Sequence, residues 1–118
     1  DVNNKVLLLT KCIRKNIPVV SAMGTGNKLD PTAFQVRDIS ETSICPLARK
    51  VRRELRRNQI YSGITVVYSP ETPVKAIETE DANIGSRISP GSISFVPPVA
   101  GMILAGLVVK GLLALNNK

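Results

Sequence analysis

The spacing of apolar residues near the start of the chain predicts a helix followed by a strand. Val6, Leu9 and Ile13 recur at intervals of three and four within residues 2–16, which is the period of an amphipathic helix. The apolar run 17–22 follows directly and is typical of a buried strand. A helix that leads into a buried strand forms half of a parallel βαβ unit, so the sequence predicts an α/β fold with a parallel pair of strands.

The middle of the chain predicts another strand and a second helix. Residues 32–39 alternate between apolar and polar side chains, as a half-buried strand does. A helix is expected to begin near Pro46, because proline suits the first helical turn. Leu47, Val51 and Leu55 recur every four residues after it and are predicted to form its buried stripe.

The last part of the chain predicts a hairpin, a loop and an apolar helix. The β-branched run 64–68 and the segment 74–78 flank a proline-rich turn and are predicted to pair as an antiparallel hairpin. The polar segment 79–94 has no hydrophobic period and is expected to be a mobile loop. Residues 95–115 are apolar apart from Lys110 and are long enough to span a membrane. Two prolines at the start and a glycine at every fifth position favour a core helix, and the alternatives are a dimer-forming helix and a membrane span.

Composition narrows the classes of protein that fit. With 118 residues, 43% of them apolar, the chain is expected to form one domain over residues 1–118. The absence of histidine excludes Ser-His and Cys-His catalytic pairs and histidine-ligated metals. Cys12 and Cys45 stand alone in sequence, so neither a zinc knuckle nor a disulfide framework is indicated, and a cytoplasmic location is expected.

The second predicted helix is strongly basic and is the clearest chemical signal. Its cations are opposed only by Glu54 and are Arg49, Lys50, Arg52, Arg53, Arg56 and Arg57. Like charges at this density repel each other, and the chain carries a net charge of +7, so a nucleic acid is the predicted partner. The alternative is a solvated helix face whose arginines pair with acidic residues elsewhere.

A glycine-containing loop follows the first predicted strand and is a candidate for facing a ligand. Its candidate residues are Gly24, Thr25, Gly26, Asn27 and Lys28. In open parallel sheets ligands bind beyond the carboxyl ends of strands. The loop lacks the third glycine of a dinucleotide-binding fingerprint, so it fits either a ligand-facing loop or a simple reversal of the chain. Cys45, at a predicted helix start, is either an activated thiol or a buried small residue.

Four stretches of the sequence together resemble the tRNA threonylcarbamoyladenosine dehydratases, which belong to the superfamily of ubiquitin-activating-enzyme-like adenylating proteins. These stretches are IPVVSAMGTGNKLDPTAFQVRDIS, CPLARKVRRELRR, VVYSPE and SFVPPVAGMILAGLVV. The resemblance covers nearly the whole chain. It implies a Rossmann-like adenylating fold, homodimers, and an enzyme that uses ATP and magnesium to cyclise threonylcarbamoyladenosine in tRNA.

The resemblance also implies which parts of such an enzyme these residues supply. The nucleotide loop and phosphate-binding residues of the family belong to its amino-terminal half, so the chain is interpreted as a carboxy-terminal half that is inactive alone. Asp1, or its immediate neighbour, matches the catalytic aspartate on the magnesium side. No membrane association is expected. The alternatives are an activator of a ubiquitin-like or sulfur-carrier protein, or a non-catalytic dimerisation module.

Overall fold

A computed structural model of the chain describes residues 2–26, 28–72 and 95–116, in which helices pack on a small mixed sheet. The helices and strands are α1 (Val2–Arg14), β1 (Val20–Ala22), β2 (Gln35–Asp38), α2 (Pro46–Arg57), β3 (Thr65–Tyr68) and α3 (Val96–Asn116). Short 3-10 turns at Pro31–Ala33 and Ile39–Glu41 flank β2. The predicted strand at 74–78 and the predicted loop at 79–94 lie outside the described residues.

The described sheet has β3 at its centre, in the order β1-β3-β2. β1 runs parallel to β3, with Val20 opposite Thr65. β2 runs antiparallel to β3, with Gln35 opposite Tyr68. The predicted α/β fold with parallel and antiparallel strands is therefore confirmed. The antiparallel partner described for β3 is β2, whereas the partner predicted from the sequence, 74–78, lies outside the described residues.

Two predicted strands are shorter in the structure than in the sequence interpretation. The run 17–22 forms a strand only from Val20, two residues after Pro18, which has no backbone N–H to donate. The run 32–39 becomes a strand only at Gln35, because its first residues form a 3-10 turn. The side chain of Asp30 caps that turn by accepting a hydrogen bond of 2.9 Å from the Thr32 N–H.

Both amino-proximal helices end in a left-handed residue with the paired hydrogen bonds of a Schellman motif. Asn16 has φ 55° after α1, and the Ile17 N–H donates to the Cys12 carbonyl at 2.8 Å. Gln59 has φ 62° after α2, and the Ile60 N–H donates to the Leu55 carbonyl at 3.0 Å. These closures turn each helix towards the strand that follows it.

The core lies between the sheet and the α1–α2 layer, and its helical stripe differs by one position from the prediction. In α2 the fully buried residues are Ala48, Val51 and Leu55, and Leu47 is only partly buried. The spacing of three and four matches the 3.6-residue helical period better than a strict spacing of four. Leu47 lies at the side of the stripe, where it meets the loop after β1.

The prediction that the apolar tail is a core helix is wrong for most of α3. Val96 and Ala100 are buried, but Met102 is 73% exposed and Leu115 is 61% exposed. The helix is about 32 Å long at 1.5 Å per residue, whereas three-residue β1, one of the elements it packs on, is only about 10 Å long, so α3 overhangs it. Residues 96–115, of mean hydropathy 2.0, meet the length and composition of a membrane span, a weak criterion that core helices of soluble proteins also meet.

Asp38 ties the end of β2 to the turn before β3. Its carboxylate accepts hydrogen bonds from the Ser40 N–H at 2.9 Å, the Ser40 hydroxyl at 2.6 Å and the Gly63 N–H at 2.8 Å. Partial burial alone would raise the pKa of Asp38, but the hydrogen bonds from Ser40, Gly63 and Ile64 outweigh it and lower the pKa. The ionised side chain therefore stabilises the fold.

We expect Asp38→Asn to lower the free energy of unfolding by about 1–3 kcal/mol at neutral pH, because one acceptor of the carboxylate is lost. The folded-state pKa is depressed, so this stabilisation is present above the unfolded value of about 3.9 and is lost as the pH falls through the folded value. Urea unfolding from pH 7 to pH 3 measures the difference, which should shrink in acid. Glu41→Gln, which changes an exposed acid of the neighbouring turn, is the control. If Asp38→Asn lowers the free energy of unfolding as much at pH 3 as at pH 7, the ionised carboxylate of Asp38 is not the source of the stabilisation.

Candidate active-site loop and basic helix

The glycine-containing loop lies at the carboxyl edge of the parallel strand pair. The Met23 N–H donates to the Val67 carbonyl at 2.8 Å, which extends the pairing of β1 with β3 by one residue. A Cβ at Gly24 would lie 3.4 Å from Leu47 Cβ and 3.7 Å from Cys45 Sγ, so the loop passes directly over the start of α2. This is the edge at which ligands bind in parallel sheets, as the sequence predicts.

Lys28, a predicted substrate-facing residue, points into the protein. Its side chain is 1% exposed, and Nζ donates to the carbonyl of Ser69 at 2.9 Å and to that of Glu71 at 2.7 Å. A buried ammonium requires such partners, because an unpaired charge away from water is very costly. In this conformation Lys28 anchors the loop to the chain after β3. Thr25 and Gly26 remain partly exposed, and Asn27 lies outside the described residues.

Glu71 completes the anchor from the other side. Its two carboxylate oxygens accept from the backbone N–H groups of Leu29 at 2.8 Å and Asp30 at 3.0 Å. The side chain of Lys28 thus holds the backbone at Glu71, and the side chain of Glu71 holds the backbone that follows Lys28. Sequence reasoning missed this exchange, because no local pattern connects positions about forty residues apart.

Lys5 holds the other end of the same loop. Its Nζ donates to the Ala22 carbonyl at 2.8 Å and to the Ser21 hydroxyl at 3.1 Å. Burial lowers the pKa of Lys5. The loop therefore has an ammonium bound to backbone at each of its ends. Lys5 was not predicted to have a role, because a lysine on the polar face of an amphipathic helix such as α1 is usually a solvent-exposed residue.

Cys45 is a packing residue in this fold. It is 2% exposed and precedes α2 as its N-cap, without a side-chain capping hydrogen bond. A thiol that solvent does not reach has no access to a substrate from solution. Of the two alternatives open at the sequence level, the geometry matches the buried small residue.

The structure divides the six cations of α2 into three groups. Arg52 is partly buried and donates to the carbonyl of Thr42 at 3.0 Å and to its hydroxyl, so it fastens α2 to the preceding turn. Glu54 lies 3.2 Å from Arg57 and 3.9 Å from Arg53. In the part of the chain that the structure describes, the exposed cations of α2 without an ion pair are Arg49, Lys50 and Arg56.

The described residues do not form a magnesium site. Within residues 2–26, 28–72 and 95–116 no group of three acidic, histidine or cysteine side chains comes together. Asp1, the residue that the resemblance assigns to catalysis and magnesium, lies outside the described residues.

Comparisons with known proteins give closely related enzymes, although no protein-family model matches the chain. The tRNA threonylcarbamoyladenosine dehydratase of Bacillus subtilis is 41% identical over 117 residues, which cover 92% of this chain and 46% of that protein. The crystal structure of the Escherichia coli enzyme TcdA superposes with a TM-score of 0.83 at 27% identity, over 99% of this chain and 47% of that one. Its complex with ATP gives 0.77 at 27% identity, over 96% of this chain and 44% of that one. The chain thus spans about half the length of the relatives that it matches.

We expect Lys28→Met to lower the free energy of unfolding by about 1–3 kcal/mol, because the Ser69 and Glu71 carbonyls lose their donor. Urea unfolding measures this change. Lys110→Met, at an exposed position of α3, makes the same chemical substitution and should leave stability within about 0.5 kcal/mol. Equal stabilities of the two variants would show that the buried ammonium does not hold the loop.

Proposed function

This chain belongs, over the part that it spans, to the family of the tRNA threonylcarbamoyladenosine dehydratases, and on that premise we propose that its protein uses ATP to cyclise threonylcarbamoyladenosine in tRNA. The observation that carries the proposal is sequence similarity to a named enzyme over nearly the whole chain. The superposition on TcdA, including its ATP complex, supports it independently. Since the chain spans about half of these relatives, it supplies part of the active enzyme.

The reaction needs a carboxylate to be made into a leaving group. ATP would supply this chemistry by transferring its adenylyl group to the carboxylate with release of pyrophosphate. A nucleophilic atom of the same threonylcarbamoyl group would then attack the activated carbonyl carbon, lose its proton, and expel AMP with one carboxylate oxygen. The net change in the nucleoside is the loss of one water. The chain of 118 residues lacks the three-glycine nucleotide loop. In this proposal, most of the contacts to ATP therefore come from residues that are not in this chain.

The chain's own contribution to the site is a fixed substrate-facing loop. Gly24, Thr25 and Gly26 lie at the carboxyl edge of the parallel pair, where Lys5 and Lys28 hold the backbone on both sides. A loop fixed before the substrate arrives loses little entropy on binding, which favours accurate placement of the reacting groups. In this role the buried side chain of Lys28 fixes the position of the loop and does not touch the substrate. The partly exposed residues 24–26 face the substrate.

The basic helix supplies contacts to the tRNA backbone. Arg49, Lys50 and Arg56 are exposed and have no described acidic partner, so they gain most from a phosphate. Arg49 and Lys50 are the fourth and fifth residues of α2, near the loop that packs on the start of this helix. The proposal extends, through the same family resemblance, to a cytoplasmic homodimer with magnesium near Asp1.

We expect the full-length protein, with ATP, magnesium and tRNA bearing threonylcarbamoyladenosine, to yield a nucleoside one water lighter than the substrate. Mass spectrometry of the digested tRNA measures the product. Omission of ATP is the control and should leave the substrate nucleoside unchanged. Adenylate formation without the lighter nucleoside would refute the proposed substrate and point to the carboxyl end of a small carrier protein instead.

We expect the combined substitution of Arg49, Lys50 and Arg56 by Gln to weaken tRNA binding at least ~10-fold, because three phosphate contacts are lost. The slope of log K against log salt should become shallower by about two to three for the same reason. Filter binding across a salt series measures both quantities. The control variant replaces Arg37 and Lys110, which are exposed on other elements, by Gln. If the wild type, the α2 variant and the control variant have the same salt slope, α2 does not contact the tRNA phosphates.

A further inference from the structure

α1 and α2 form a single layer, which brings a second set of cations beside those of α2. Val6 and Leu9 of α1 belong to the same buried cluster as Val51 and Leu55 of α2, and the two helices are in direct contact. The helices therefore pack side by side over the sheet.

The two helices also run in the same direction. The first turns of α1 lie at the carboxyl edge of the sheet, because Lys5 donates to the Ala22 carbonyl at the end of β1. The first turn of α2 lies at that edge too, because Leu47 meets Gly24. Their last turns must then lie together at the opposite edge, where Val20 and Thr65 begin the parallel pair. Short connections from each helix to its strand agree with this arrangement.

A dense group of exposed cations results at that opposite edge. We call it the two-helix basic surface and define it as Lys11, Arg14, Lys15, Arg56 and Arg57. Counted from Val2 to Lys15 and from Pro46 to Arg57, the layer carries ten lysines and arginines, and its single acidic residue is Glu54. The layer is thus more positive than the whole chain, whose net charge is +7.

Helix ends alone do not account for this density. A helix dipole favours a cation near each carboxyl end, which explains one or two residues per helix. Where the two helix ends lie side by side, the cations of α1 also repel those of α2. Glu54, the acidic residue of the layer, is already paired with Arg53 and Arg57. A bound polyanion relieves that repulsion.

We propose that the two-helix basic surface binds the sugar-phosphate backbone of tRNA at a site separate from the substrate-facing loop. This inference rests on the proposed function and adds α1 to the tRNA interface. Arg56 follows Leu47, the residue that meets Gly24, by nine positions in α2, so it lies about 14 Å farther along the helix axis. The protein thus holds backbone well outside the modified nucleoside, and it recognises tRNA rather than the nucleoside alone.

The test substitutes Lys11, Arg14 and Lys15 together by Gln in the full-length protein and measures tRNA affinity across a salt series. We expect affinity to fall at least ~10-fold and the salt slope to become shallower by about two to three. ATP affinity should stay unchanged, because all three side chains are exposed and lie away from the loop. The thermal midpoint should shift by only a few degrees, because the loss of helix-dipole stabilisation and the relief of repulsion are small and opposite in sign. The control is again the Arg37→Gln, Lys110→Gln variant, which removes two exposed cations from other elements.

A second variant separates charge from shape. Exchanging the three residues within the basic class, as Lys11→Arg, Arg14→Lys and Lys15→Arg, should keep the wild-type salt slope. If the Gln variant binds tRNA like the wild type while the α2 variant is weakened, the inference is wrong and the proposed function stands. If the wild-type protein itself does not bind tRNA, both are wrong.

Discussion

The parallel pairing of β1 with β3 is the constraint on which the described structure depends. Parallel strands cannot be joined by a tight turn, so a long crossover must carry the chain back to the first edge, and here it contains β2 and α2. The pairing gathers the loop after β1 and the segment after β3 at one edge. It also places the last turns of α1 and α2 at the other, so both the loop site and the basic surface follow from it.

Sequence periodicity predicts the elements that depend on local pattern and fails where a distant partner decides. The second helix and β3 are found nearly as predicted, because a 3.6-residue stripe and a β-branched run are local signals. The exchange between Lys28 and Glu71 depends on a sheet register that no local pattern contains. For α3, the apolar sequence indicates that burial of the helix is favourable, but it does not identify the surface against which the helix packs.

The pattern of charges in the sequence identifies the basic helix, but it does not show which of its cations are held by contacts within the protein. Exposed ion pairs contribute about 0–1 kcal/mol, so Arg53 and Arg57 can exchange Glu54 for a phosphate at little cost. Arg52 differs, because releasing it would leave the oxygens of Thr42, a buried residue, without this donor. Six residues that look equivalent in sequence therefore differ in how available they are, and this difference arises from neighbours outside the helix.

The loop is fixed by side chains that bind backbone groups, and one of these side chains, that of Lys28, belongs to the loop itself. Lys5 binds the carbonyl at its start, Lys28 binds carbonyls of the chain after β3, and Glu71 binds the N–H groups that follow Lys28. Because these bonds reach carbonyl and N–H groups common to all residues, they constrain the path of the chain without specifying what residues 23–26 present to solvent. The anchoring and the exposed chemistry of the loop are thus carried by different residues, and side chains that face a ligand can change while the geometry that positions them is kept.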